Sequence, residues 1–214
     1  MTRPGIGLFI KSEWTAPNGT IFEMQHRWED QALIIDTVRT HGAKIEFGTA
    51  KGGFAALLAD TLPEAKIVTV NHQPEPGVRE ALATAYGERM NVLTLDLLGS
   101  DDTALGPLFS VLTGYTDIGR MLHRHRIDPP TRDDWKICLY CDNGNKVEEI
   151  TRFAPLLKPG DLLGCHDYAT EVPPEWVEPF LVHLGFVPHR HAEFAALAHP
   201  EFYPASLTRF WLRT

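Results

Sequence analysis

Hydrophobic positions along the chain fall into short runs of two periods, and the two kinds of run alternate. Ala32, Ile35 and Val38 recur at near-helical spacing, which predicts an amphipathic helix over Trp28 to Thr40 that stops at His41-Gly42. The pattern then predicts a strand at Lys44 to Phe47, a helix at Phe54 to Leu62, a strand at Lys66 to Val70, a helix at Gly77 to Tyr86 and a strand at Asn91 to Leu95. A mostly helical stretch, Ala104 to His125 with Gly114 as an interruption, leads to a strand at Trp135 to Tyr140. A helix at Lys146 to Leu157, a strand at Asp161 to Cys165 and a helix at Pro174 to Leu184 follow. Two late strands, Phe186 to His191 and Leu207 to Leu212, finish the chain, and Ala192 to Ala205, with Pro200 and Pro204, reads as a loop between them.

Strand–helix alternation with short connections predicts an α/β fold, a doubly wound and mostly parallel sheet covered on both faces. The missing helix between the last two strands predicts an antiparallel final pair at the sheet edge. Residues 1–41, with a turn at Pro17-Asn18-Gly19, read as an N-terminal helical cover segment, and 42–214 as one domain. A length of 214 residues suits one domain with a substantial core. The formal charge of −8 argues against a nucleic-acid backbone or an anionic membrane as the main partner and leaves room for no more than a local basic patch. No apolar run is long enough to cross a bilayer, and Met1 to Ile10 lacks the regions of a signal peptide. Three cysteines cannot all pair, so a reduced, cytoplasmic setting is expected. Cys138 and Cys141 form a C-x-x-C, but their odd spacing within a strand turns them to opposite faces, which argues against a redox or zinc pair.

Chemically capable groups gather at the C-terminal ends of predicted strands, where open α/β sheets bind ligands. The first set is Ile45-Glu46-Phe47-Gly48-Thr49-Ala50-Lys51-Gly52-Gly53-Phe54, a strand that breaks into glycines and becomes a helix. Backbone N–H groups and a helix N-terminus converge at such a point. The others are Cys141-Asp142-Asn143-Gly144 and Gly164-Cys165-His166-Asp167-Tyr168.

With these motifs the chain resembles class I S-adenosylmethionine (SAM)-dependent methyltransferases over Ile45 to Thr214. Within them it is similar to the macrocin O-methyltransferase and cephalosporin-hydroxylase-like groups, whose E-x-G-T-x-x-G-G loop matches Glu46 to Gly53. The resemblance implies a seven-stranded sheet with an antiparallel final strand. It implies a SAM-dependent O-methyltransferase acting on a small hydroxylated molecule, a sugar or secondary metabolite. It places the methionine part of SAM against Gly48, Thr49, Gly52 and Gly53, with Glu46 beside them, where a side chain would keep the ligand off the backbone. The second strand of the family ends in an acid that holds the ribose. Here Asn71 stands in its place, either as a weaker ribose ligand or as an ordinary turn residue. Asp96 matches the adenine-contacting position, or is a loop carboxylate.

The resemblance also implies a divalent cation, magnesium in most members, on Asp142, His166 and Asp167, holding the acceptor oxygen. Imidazole suits manganese better than magnesium. His166 can instead act as a general base without metal, or brace the loop before Tyr168 through Asp167. Lys146 either meets a substrate or cofactor carboxylate or is solvated. His123 and His125 belong to a basic run, Arg120 to Arg126, read as a solvated helix face; His189 and His191 alternate on a late strand and share one face. The N-terminal helix and the Gly114 to Pro130 stretch are expected to cover the substrate, and an apolar N-terminal segment suggests a homo-oligomer. Two rivals stand beside this reading. A nicotinamide-dependent oxidoreductase lacks its G-x-G-x-x-G here. A degenerate methyltransferase-fold binding protein is kept open by Asn71 and His166.

Overall fold

The computed structural model describes residues 12–24, 26, 28–73, 75–101, 103–106, 108, 112, 136–197 and 206–214. A hairpin comes first, β1 (Ser12–Thr15) and β2 (Ile21–Met24), turned at Gly19, and helix α1 (Trp28–Val38) follows it. Next come β3 (Ala43–Phe47), α2 (Gly53–Thr61), β4 (Lys66–Asn71), α3 (Val78–Tyr86) and β5 (Met90–Thr94). The second half holds β6 (Ile137–Cys141), α4 (Lys146–Phe153), β7 (Leu162–Cys165), α5 (Pro174–His183), β8 (Phe186–His189), α6 (His191–Ala196) and β9 (Arg209–Arg213).

Seven of the described strands make one sheet in the order β5-β4-β3-β6-β7-β9-β8. The first five are parallel, and β9 runs antiparallel between β7 and β8. Strand order therefore reverses between β3 and β6, which opens a crevice beyond their C-terminal ends. Every residue of β3 and β6 is buried, as central parallel strands require. Side chains alternate between two cores. Ile45, Phe47, Leu139, Cys141 and Phe153 pack on one face, and Cys138, Tyr140, Leu57, Leu58 and Phe210 on the other. Cys138 and Cys141 thus lie on opposite faces, and all three cysteines are free and buried.

The elements match the hydrophobic pattern closely, with two departures. The hairpin ahead of α1 is too short for its alternation to register. At the other end, β8 stops at His189, Arg190 turns the chain at φ 57°, and His191 opens α6. Residues 191–196 are therefore helical and not strand or loop, held by Phe194 packed on Phe210, and His191 Nε2 instead meets the Phe210 carbonyl at 2.7 Å. The predicted face shared by His189 and His191 does not form. Gly114, His123, His125, the Arg120 to Arg126 run, the Gly114 to Pro130 cover and Trp135 lie outside the described residues.

Gly164, in β7, is flanked by Tyr140 of β6 and Phe210 of β9. The two rings close over it, and an added Cβ would stand 2.4 Å from Phe210 and 2.6 Å from Tyr140. Gly164→Ala is expected to cost about 1–3 kcal/mol through overpacking. Gly144→Ala, where an added Cβ meets nothing within 4 Å, should stay within about 0.5 kcal/mol of the parent. Urea unfolding of the two variants checks this.

Candidate functional site

The loops after β3, β6 and β7 converge at the crevice. Asp142 N donates to Phe47 O at 2.7 Å, and His166 N donates to Cys141 O at 3.1 Å, so the three strand ends are stitched side by side. Gly48 adopts φ 112° and lies so close to the next loop that a Cβ would stand 2.4 Å from the Asp142 carbonyl oxygen. At Gly53 a Cβ would stand 2.4 Å from the Glu23 carbonyl oxygen of β2, and Glu23 forms a parallel bridge with Gly52. The glycines therefore admit neighbouring backbone. The hairpin lies along the glycine loop and supplies one wall of the site.

Between hairpin and loop is a cavity of about 140 Å³ lined by, among others, Glu23, Glu46, Thr49, Gly53, Glu75 and Asp142. Gly48 also lines it, while Gly52 is turned toward Phe22, Val78 and Leu82. Glu46 is buried, accepts a hydrogen bond from Thr69, and has no cationic partner among the described residues. Thr69 in turn meets Thr49 at 2.6 Å. Burial pushes the Glu46 carboxyl up to about 8, with the nearby Asp142 charge adding to the shift, so it keeps its proton at neutral pH.

Asn71 and Asp96 also end their strands on this side of the sheet but do not line the cavity. Asn71 Oδ1 accepts from Gln73 N at 3.3 Å, as in an Asx turn. Asp96 Oδ1 accepts from Leu98 N at 3.2 Å and Gly99 N at 2.8 Å, and its other oxygen is 3.9 Å from His72.

The remaining three residues meet. Ligand atoms of Asp142, His166 and Asp167 all lie within 4.8 Å of one another. His166 Nδ1 is 3.1 Å from Asp167 Oδ1 and 3.4 Å from Asp142 Oδ1, yet it is buried without an aligned hydrogen bond. That spacing admits one cation, and it is equally that of an ion pair between His166 and Asp167. Burial opposes charge on His166, but the two carboxylates outweigh it and push the imidazole up to about 10. The carboxylates thus demand positive charge at this point.

Lys146 supplies part of it. Its ammonium, 4% exposed, lies 2.8 Å from Asp167, 2.7 Å from Glu171 and 3.9 Å from Asp142. Lys146 is therefore neither solvated nor open to a ligand carboxylate. Burial opposes its charge, but Asp167 and Glu171 hold it firmly protonated, and Asp167 is held well below the usual carboxylate range.

His26 is the residue that sequence reasoning missed. It stacks on Phe54 with ring centroids 4.2 Å apart, shares a hydrogen bond with the Tyr140 hydroxyl at 3.0 Å and stands 3.6 Å from Asp142. Burial lowers its pKa to about 4, so it is a neutral wall of the cavity. No motif surrounds it; only its place between hairpin and helix brings it here.

No protein-family profile and no curated protein matches the chain. Solved structures do. A SAM-dependent O-methyltransferase from Thermotoga maritima aligns with TM-score 0.51 and 15% identity, covering 88% of this chain; the alignment spans 66% of that enzyme's chain. A putative caffeoyl-CoA O-methyltransferase from Staphylococcus aureus gives TM-score 0.57 and 12% identity, covering 88% of this chain and 85% of that one. A structure described as cmcI-N160 with SAH gives TM-score 0.56 and 12% identity, covering 97% and 87%. The chain has the Rossmann-like methyltransferase fold, with its antiparallel strand inserted in the sheet.

The protonated Glu46 has a consequence for stability. Its folded pKa lies above its unfolded value, so stability is full below about 4.5 and is lost as pH rises through about 8. Glu46→Gln cannot ionise. Its stability relative to the parent should therefore climb across that interval, by an amount on the order of a few kcal/mol. Urea unfolding of both proteins over a pH series checks the slope.

Proposed function

We propose that this chain is a SAM-dependent O-methyltransferase acting on a small hydroxylated molecule, of the macrocin and cephalosporin-hydroxylase-like kind, with a divalent cation at Asp142, His166 and Asp167. The observation that carries the reading is the charge of the cavity at the switch point. Glu23, Glu75 and Asp142 line it against Lys51, which Glu23 already pairs at 2.8 Å, beside the protonated carboxyl of Glu46. A carboxyl-rich cleft with no unpaired cation among the described lining residues suits a ligand that brings positive charge, and SAM carries both a sulfonium and an ammonium. In this reading the methionine end rests against Glu46, Gly48, Thr49 and Gly53, with Gly52 shaping the turn behind them, and the adenosine end extends toward Asn71 and Asp96. Residues 42–214 form the cofactor-binding unit, and the segment before it covers the site.

Methyl transfer needs nucleophile, methyl carbon and leaving sulfur in line. Asp142 lines the cavity where an acceptor oxygen would be oriented, with His166 Nδ1 behind it at 3.4 Å. A bound cation would supply Lewis acidity that lowers the acceptor hydroxyl's pKa. His166 holds its proton between the two carboxylates, so it must release that proton to serve either as a metal ligand or as a general base. Lys146 fixes Asp167 and Glu171, and His26 excludes water from the Asp142 side.

Transfer of labelled methyl from SAM to a panel of sugars, catechols and phenols tests this, with manganese or magnesium and with EDTA. Methylation at oxygen is expected, falling on the order of a hundredfold or more with EDTA and in Asp142→Asn. Transfer indifferent to EDTA and to Asp142→Asn would remove the cation, and transfer to nitrogen or carbon would remove the O-methyl assignment.

A further inference from the structure

A second cavity, of about 390 Å³, lies at the opposite end of the sheet, between the C-terminal ends of α1 and α2. Arg39, Thr40, His41, Lys44, Thr61 and Glu64 are among its lining residues. Lys44 sits in the middle of the sheet and is 2% exposed. Its ammonium donates to the His41 carbonyl oxygen and has no carboxylate partner among the described residues. Cys138, its neighbour across the strand pair, is no counter-ion either, because burial pushes that thiol up to about 12. Arg39 makes no ion pair among the described residues. His41 is neutral, since burial lowers its pKa to about 4, and its Nε2 meets the Gly160 carbonyl at 3.2 Å. Glu64 is exposed, so the lining keeps one net positive charge, Arg39 and Lys44 against Glu64.

The surroundings share this sign. Lys66 opens β4, Lys136 precedes β6, and Arg89 precedes β5 and binds the Ala59 and Pro63 carbonyls at the foot of α2, at 2.9 and 3.0 Å. Glu88 and the buried Asp161 stand at the same end, so the cations outnumber the acids there in a chain of net charge −8. The carbonyl ends of α1 and α2 offset part of this charge, with His41 O taking Lys44 and the Ala59 and Pro63 carbonyls taking Arg89, but they supply no full counter-charge to the buried ammonium.

The geometry points to an anion-binding site here, built for a compact oxyanion such as phosphate, free or carried by a small metabolite. Lys44 supplies a point charge at the floor and Arg39 a planar fork at the rim suited to bidentate contact with tetrahedral oxygens, while the Thr40 and Thr61 hydroxyls are taken up by His41 Nδ1 and the Leu57 carbonyl. The site is independent of the methyl-transfer chemistry and faces away from it.

Thermal unfolding with inorganic phosphate and with glycerol 3-phosphate, each against chloride at matched ionic strength, tests this. In the parent protein, phosphate at a hundredfold excess over its Kd should raise the melting temperature by about 5 °C or more. Stabilisation by glycerol 3-phosphate as well would mean that an ester is accepted, and by inorganic phosphate alone that the free ion is the ligand. Lys44→Met should lose the response while melting no lower than the parent in chloride, because it removes a buried uncompensated charge. If Lys44→Met does not fold, Arg39→Ala carries the test, with affinity lowered about tenfold. No shift in the parent beyond chloride, or an undiminished shift in the folded variants, would overturn the proposal.

Discussion

A single buried ammonium, that of Lys146, decides how the ends of β6 and β7 meet. It is the first residue of α4, where the positive end of the helix dipole disfavours it, and it is 4% exposed. Only the carboxylates of Asp167, Glu171 and Asp142 around it make that position tolerable. Removing one partner from such a buried network costs about 3–5 kcal/mol, far more than an exposed pair is worth. The same contacts hold Asp167 at φ 57° and bring its second oxygen to His166. The placement of the candidate metal ligands is thus a by-product of neutralising one lysine.

The cavity depends on a second constraint, backbone approaching backbone. Gly48 lets the loop after β3 lie against the Asp142 carbonyl, and Gly53 lets β2 lie against the glycine loop. Close approach on both sides leaves a narrow cleft walled by carboxyl groups and by the Phe54–His26 stack. Burial there holds Glu46 in its acid form at neutral pH. Glu149 does a related job beneath the loop. Its Oε1 accepts from Asn143 at 2.9 Å, and burial pushes its carboxyl up to about 7.

Much of this was legible in the residues. The central strands could be read because parallel strands buried on both faces are continuous apolar runs, and their polar ends mark where ligands bind. Asp142, His166 and Asp167 are grouped by the family resemblance, and the pairing of β6 with β7 is what brings them together. What could not be read depends on contacts between distant segments. His26 carries no motif, and it reaches the site only because the hairpin folds onto Gly52 and Gly53. The glycines announced a close approach, but not that the neighbour is protein backbone. The short helix at His191 has too few residues to show a period, and one left-handed residue, Arg190, ends the strand before it. Lys44 looked like an ordinary strand residue, and its burial without a counter-ion is a property of the packed sheet alone.

The central claim is that the carboxyl-lined cleft between the loops after β3 and β6 holds SAM. Calorimetric titration of the chain with SAM and with S-adenosylhomocysteine tests it most directly, in magnesium, in manganese and in EDTA. The account predicts saturable one-to-one binding of at least one of the two, with a Kd on the order of micromolar. No binding of either ligand under any of the three conditions would contradict it, and would leave a methyltransferase fold whose cleft serves some other ligand.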